Sequence, residues 1–157
     1  MIDTHTHLYL PDFNPDGGGE AAVERAFAAG VDRMIFPNVD AASVEPLERL
    51  AAKYPGKVFR AMGLHPTEVN GEWRPVVDAM MERMDADPTY VAVGEVGIDL
   101  YWDKTFEQEQ MEAFDFQVAE SVKRGLPLII HCREGLPQAL EVLSGHPEAR
   151  GVFHSFG

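Results

Sequence analysis

Two histidines two residues apart, His5 and His7, close the first apolar stretch of the chain, Met1-Ile2-Asp3-Thr4-His5-Thr6-His7. In an extended strand, residues i and i+2 project to the same side. The two imidazoles can therefore offer nitrogens to one point in space, which is what a divalent ion requires. Four further candidates, His65, Glu95, His131 and His154, each follow an apolar run that reads as a separate strand. A single histidine at a strand end is most simply a polar residue bonded to a neighbouring loop. Recurrence of His5, His7, Glu95, His131 and His154 at equivalent positions points instead to a metal site.

The residues around these candidates suggest their chemistry. Glu95 leaves an apolar run between two glycines, in Val93-Gly94-Glu95-Val96-Gly97-Ile98-Asp99. Its two oxygens could bridge two metals, or it could pair with Arg133. Asp99 either caps the following helical segment or helps to bind substrate. Arg133, in His131-Cys132-Arg133-Glu134, carries a planar fork of donors suited to a phosphate or carboxylate, with a surface pair to Glu134 or Glu95 as the alternative. Cys132 alternates away from His131 and is expected to pack. His65 precedes Pro66, which holds it extended at a loop entrance. A substrate-phosphate contact is expected of it in preference to direct metal ligation. His146 is expected to be a plain loop residue, and Trp73 and Trp102 to be packing aromatics, although Tyr101-Trp102 follows Asp99 closely enough to line a cleft.

These residues need a scaffold that aligns strand ends. Apolar runs predict strands over 1–7, 31–37, 58–64, 90–95, 126–131 and 151–154, and amphipathic stretches predict helices over 20–29, 42–53, 73–85, 106–124 and 136–144. Gly30, Pro55-Gly56 and Gly125 supply the expected helix stops, and 16–19 reads as a flexible glycine loop. Alternation of strand and helix predicts an α/β fold with a parallel sheet and right-handed crossovers. The repeat of about 26 residues per unit matches a TIM-type (β/α) barrel, here about six of eight βα units. In such barrels chemistry sits at the C-terminal ends of the strands, where all the candidates fall.

Composition agrees with one globular domain over residues 1–157, 45% hydrophobic. The net charge of −13 disfavours coating of duplex DNA by an extended basic groove. Bound divalent ions would still attract a phosphate locally. No apolar run approaches the roughly 18 residues of a membrane span, and no leader-like segment precedes the first strand, so a cytoplasmic location without membrane association is expected. The single cysteine agrees with a reducing compartment.

The motifs together resemble the TatD-like metal-dependent hydrolases, the TatD-type deoxyribonuclease family of the amidohydrolase-like barrels. The resemblance runs through Ile2-Asp3-Thr4-His5-Thr6-His7-Leu8, Gly63-Leu64-His65-Pro66, Gly94-Glu95-Val96-Gly97-Ile98-Asp99, His131-Cys132-Arg133-Glu134 and His154-Ser155-Phe156-Gly157. It implies two divalent ions, Mg, Mn or Zn, with His5 and His7 on the first, His131 and His154 on the second, and Glu95 bridging both. It further implies that His65 and Arg133 touch a substrate phosphate. Two departures stand out: the family's last motif usually reads His-Ser-Phe-x-Gly, and its later acidic ligand, in a Glu-Thr-Asp-like segment, has no counterpart in these residues. The chain is therefore expected to be a C-terminally incomplete barrel, as a fragment or a remnant.

The expected activity is phosphodiester hydrolysis in DNA or a small phosphodiester, with Glu95 positioning the ions and the attacking water. An amidohydrolase or lactonase on the same barrel, or a noncatalytic metal-binding remnant, are the alternatives.

Overall fold

The computed structural model describes residues 1–13 and 19–155. Residues 16–18 of the expected glycine loop, and Phe156 and Gly157 of the last motif, lie outside these. Among the described residues the strands are β1 (Ile2–Asp3), β2 (Arg33–Pro37), β3 (Val58–Met62), β4 (Tyr90–Asp99), β5 (Leu128–Arg133) and β6 (Gly151–Phe153). The helices are α1 (Glu20–Ala28), α2 (Val44–Ala51), α3 (Trp73–Ala86), α4 (Glu107–Arg124) and α5 (Leu136–Ser144). The strands pair in the order β1-β2-β3-β4-β5-β6, every pair parallel, in a curled sheet of TIM-barrel type.

Strand alternation separates two faces. Met62, Val93, Val96, Ile98, Leu128 and Ile130 point outward into the main core, where α3, α4 and α5 add Val77, Met80, Phe114, Val118 and Ala139. A second outer core joins Met34 and Phe36 of β2 to Val23 of α1 and Leu47 and Leu50 of α2. Inside the curl, Ala61, Ala92 and Ile129 pack together with Ile35 against them. Helices cover only the outer side of a parallel sheet here, so the inner side is free to carry polar groups near its C-terminal end.

Among the boundaries that differ from expectation, three bear on the site. The first strand ends at Asp3 rather than at 7, although the Thr6 N–H still donates to the Ile35 carbonyl at 3.2 Å. His5 and His7 therefore sit on irregular backbone beyond the strand. β4 runs on to Asp99 instead of stopping at 95, because Val96 and Ile98 continue its outward apolar face. Its register against β5 jumps between Gly94 and Val96, pairing them with the consecutive residues Ile129 and Ile130, which leaves Glu95 as the extra residue of a bulge. Finally, β5 extends through His131 to Arg133, so His131 lies within the strand.

Candidate metal centre

The bulge decides which way Glu95 points. Ala92 faces inward and Val93 outward, so strict alternation would turn residue 95 outward among the helices. The extra residue resets the phase: Val96 and Ile98 face out, while Glu95, Gly97 and Asp99 share the inner side. β5 lays Ile129, His131 and Arg133 on the same side and sends Cys132 to the outer core, the packing role expected of it. Gly97 allows the two strands to close, since a Cβ built there would lie 1.9 Å from the His131 carbonyl oxygen, on backbone at φ +142°.

Glu95 is buried, and its two oxygens serve two groups of histidines. Oε2 lies 3.0 Å from His5 Nε2 and 3.3 Å from His7 Nε2, and those nitrogens are 3.0 Å apart. Oε1 lies 3.3 Å from His131 Nδ1 and 3.9 Å from His65 Nε2. His154 stacks on His5 with ring centroids 3.4 Å apart, and His65 meets His131 at 4.4 Å. Two sets have donor atoms all within 4.8 Å of one another, His5–Glu95–His154 and His65–Glu95–His131. The partition differs from the expected one: His154 keeps company with His5, and His65, expected at a phosphate, lies among the potential ligands.

One tautomer argues for a cation here. The Tyr9 hydroxyl donates to the Pro37 carbonyl, so at 3.0 Å it accepts from His7 Nδ1, which must hold the ring proton. A neutral His7 then turns its Nε2 lone pair toward the Glu95 oxygen at 3.3 Å, an arrangement that a shared cation would bridge. Burial pushes the Tyr9 phenol far above its ordinary pKa, which keeps the hydroxyl protonated. The imidazole and carboxylate donor set suits a divalent transition metal or magnesium-like ion.

Ionisation follows the same geometry. Burial alone would raise the Glu95 carboxyl, but the histidines around it, His131 foremost and then His5, outweigh it and hold the group well below the carboxylate range. Burial lowers His65 to about 4 and also lowers His154. His131 is pulled down by burial but raised on balance by its bonds to Glu95 and Asp99.

Asp99 caps no helix, since α4 starts at Glu107. Its Oδ1 accepts the Tyr101 N–H at 3.0 Å to turn the chain, and its Oδ2 lies 2.8 Å from His131 Nε2. Arg133 pairs with neither Glu95 nor Glu134; its guanidinium carbon lies 3.6 Å from the centre of the Tyr101 ring. Trp73 is a core residue as expected, whereas Trp102 is 72% exposed and packs no core.

Sequence reasoning missed three supporting residues. Asn38 is fully buried: its carbonyl accepts the Glu95 N–H at 3.0 Å, and its Nδ2 donates to the Gly63 carbonyl at 3.0 Å. Gln117 accepts the Leu64 N–H at 2.8 Å beside His65, and Gln110 accepts the Asp99 N–H at 2.8 Å while donating back to the Asp99 carbonyl at 3.0 Å. Their signal was present: 110 and 117 fall on the stripe of α4 that Ala113, Phe114 and Val118 bury.

A parallel (β/α) sheet of TIM-barrel type with histidines and carboxylates gathered at its C-terminal strand ends points to the class of metal-dependent hydrolases. The family model described as "TatD related DNase" matches residues 2–157, and the chain belongs to that family. It is 35% identical over 163 residues to an uncharacterized metal-dependent hydrolase TatD of Mycobacterium tuberculosis, covering 99% of this chain and 61% of the relative. It is 31% identical to a 3'-5' ssDNA/RNA exonuclease TatD of Pantoea vagans, covering 99% and 60%. The crystal structure of the TatD homologue YjjV of Escherichia coli superimposes with a TM-score of 0.85 at 31% identity, over 100% of this chain and 60% of that one. The chain thus spans about three fifths of these relatives' length. No helix among the described residues is long and apolar enough to cross a membrane.

Proposed function

We propose that the protein hydrolyses phosphodiester bonds of nucleic acid with two divalent ions that share Glu95. The observation that carries this reading is the division of the buried carboxylate, with Oε2 toward His5 and His7 and Oε1 toward His131 and His65. In it, His5, His7 and Glu95 would hold one ion, with His154 within reach, and Glu95 and His131 would hold the other, with His65 beside it. Bound divalent ions supply charge against the phosphoryl oxygens and acidify water.

The chain's own residues hold and orient. Glu95 keeps its negative charge and fixes the spacing of the two groups, Asp99 orients the His131 ring, and Arg133 stands on the same inner side of β5 with its donors unpaired by any carboxylate among the described residues. A relative named as a 3'-5' ssDNA/RNA exonuclease supports the choice of substrate. The test is to load the protein with Mg, Mn or Zn, measure bound metal by elemental analysis, and follow single-stranded DNA and RNA labelled at the 5' end. Two ions per chain and a ladder shortening from the 3' end are expected. Two bound ions with intact strands, and turnover of an amide or lactone instead, would overturn the phosphodiester assignment.

A further inference from the structure

Beside the histidine cluster lies an aromatic surface that the fold does not use. Tyr101 and Trp102 follow β4 directly, are 47% and 72% exposed, and meet edge to face with centroids 4.8 Å apart. The Arg133 guanidinium covers the Tyr101 ring at 3.6 Å and stands 5.3 Å from the Trp102 ring. Two exposed rings set edge to face and a cation against them, just beyond Asp99, form an exposed shelf at the edge of the site. Behind Trp102 is a hollow of about 70 Å³ that reaches Thr67, Asp99 and Gln110. That is far below the roughly 300 Å³ of a small-molecule pocket, so a ligand would lie on the rings and not within them.

From this the geometry points to Trp102, backed by Tyr101 and Arg133, as a stacking platform for an unpaired nucleobase next to the hydrolysed phosphodiester. The inference rests on the nucleic-acid reading above and adds where a base would sit. Charge supports it. At −13 the chain is poorly equipped to track a phosphate backbone with basic side chains, so affinity for a strand must come from ions at the site and from base stacking. A base in a duplex hides both faces against its neighbours, whereas a single strand can turn one onto an indole. Arg133 adds a cation at the shelf without a competing carboxylate partner among the described residues. Stacking tolerates every base, so the shelf selects single strands over duplexes without selecting sequence.

The test uses isothermal titration calorimetry of the protein with Ca²⁺, an ion chosen to slow turnover, and two unlabelled strands. One is an oligodeoxyadenylate of about six nucleotides; the other has the same backbone without bases. Trp102→Leu is expected to weaken binding of the adenylate roughly 5- to 150-fold, the range of one base–aromatic stack, and to leave the abasic strand unchanged. Trp102→Phe, which keeps an aromatic face, should recover most of the loss. Thermal midpoints of both variants should match the parent, since the indole is outside the core. Equal binding of the adenylate by parent and Trp102→Leu, or equal losses for both strands, would overturn the platform while leaving the hydrolase reading intact. Failure of the parent protein to bind either strand would overturn the nucleic-acid reading and the platform with it.

Discussion

Replacing Gln117 by leucine should loosen the site without touching a histidine. Gln117 is 1% exposed, accepts the buried Leu64 N–H at 2.8 Å, and donates to the Ala113 carbonyl at 3.2 Å, with Leu64 O at 3.5 Å. Leucine fills nearly the same volume but leaves the Leu64 N–H without an acceptor. A buried donor stranded in this way costs about 1–3 kcal/mol. For a protein of this size each kcal/mol moves the thermal midpoint by about 2–4 °C, so a fall of roughly 2–12 °C is expected. Calorimetry gives the midpoint, and hydrogen exchange at the Leu64 amide locates the effect. Gln110→Leu should act in parallel at Asp99, and the two residues stand about 10 Å apart along α4, far enough for their losses to add. A Gln117→Leu protein that melts within 1 °C of the parent, with unchanged exchange at Leu64, would refute the claim that this side chain pins the loop before His65.

Three further expectations follow from the same geometry. Glu95→Gln keeps the shape but removes the charge shared by both histidine groups, so metal affinity and turnover should fall by more than about 100-fold while stability changes by no more than about 3 kcal/mol; calorimetric metal titration beside thermal melts checks both. Tyr9→Phe frees the His7 tautomer and should weaken metal binding by about 10- to 100-fold, measured by competition with a chelator. In metal-free protein, stability should peak near pH 6.5. The contribution of the raised His131 is complete below its unfolded value of 6.5 and is lost as pH climbs toward its folded value, while those of the lowered His65 and His154 are complete above 6.5 and are lost as pH falls, for His65 toward about 4. Melting in chelator from pH 5 to pH 8 would show a midpoint rising and then falling; a monotonic trend would contradict these ionisation states.

The fold was legible because each βα unit repeats the same local signals. Apolar runs alternate with amphipathic stretches, helix stops such as Gly125 fall where expected, and α5 occupies the residues its pattern marks. Strand ends were less legible, since periodicity carries no information about where hydrogen bonding stops. Val96 and Ile98 continue the outward face of β4 past Glu95, and only the pairing with β5 shows the strand running to Asp99. Trp102 was misjudged for a related reason. An aromatic residue is usually buried, but Trp102 lies in the irregular segment between β4 and α4, and its indole is left in solvent.

The site was legible as a set of residue types and illegible as a set of partners. Each histidine of the site announces itself near a strand end, yet the sequence contains nothing that pairs His154 with His5 or His65 with His131, because those neighbours belong to different βα units and meet only through the curl of the sheet. The bulge is the sharpest case. Period-2 alternation from Ala92 assigns Glu95 to the helix-packed face, where a carboxylate would be buried among Val77, Phe114 and Val118 with no cation to answer it. One extra residue exchanges the faces of everything beyond it, and the same slip that brings Glu95 inward also brings Gly97 and Asp99. Gly97 then permits the approach to His131, and Asp99 bonds that ring from the far side. Glu95, Gly97 and Asp99 therefore act as one structural unit: the two-residue spacing that fits each of them to the inner face exists only because the strand is out of phase with its own first half.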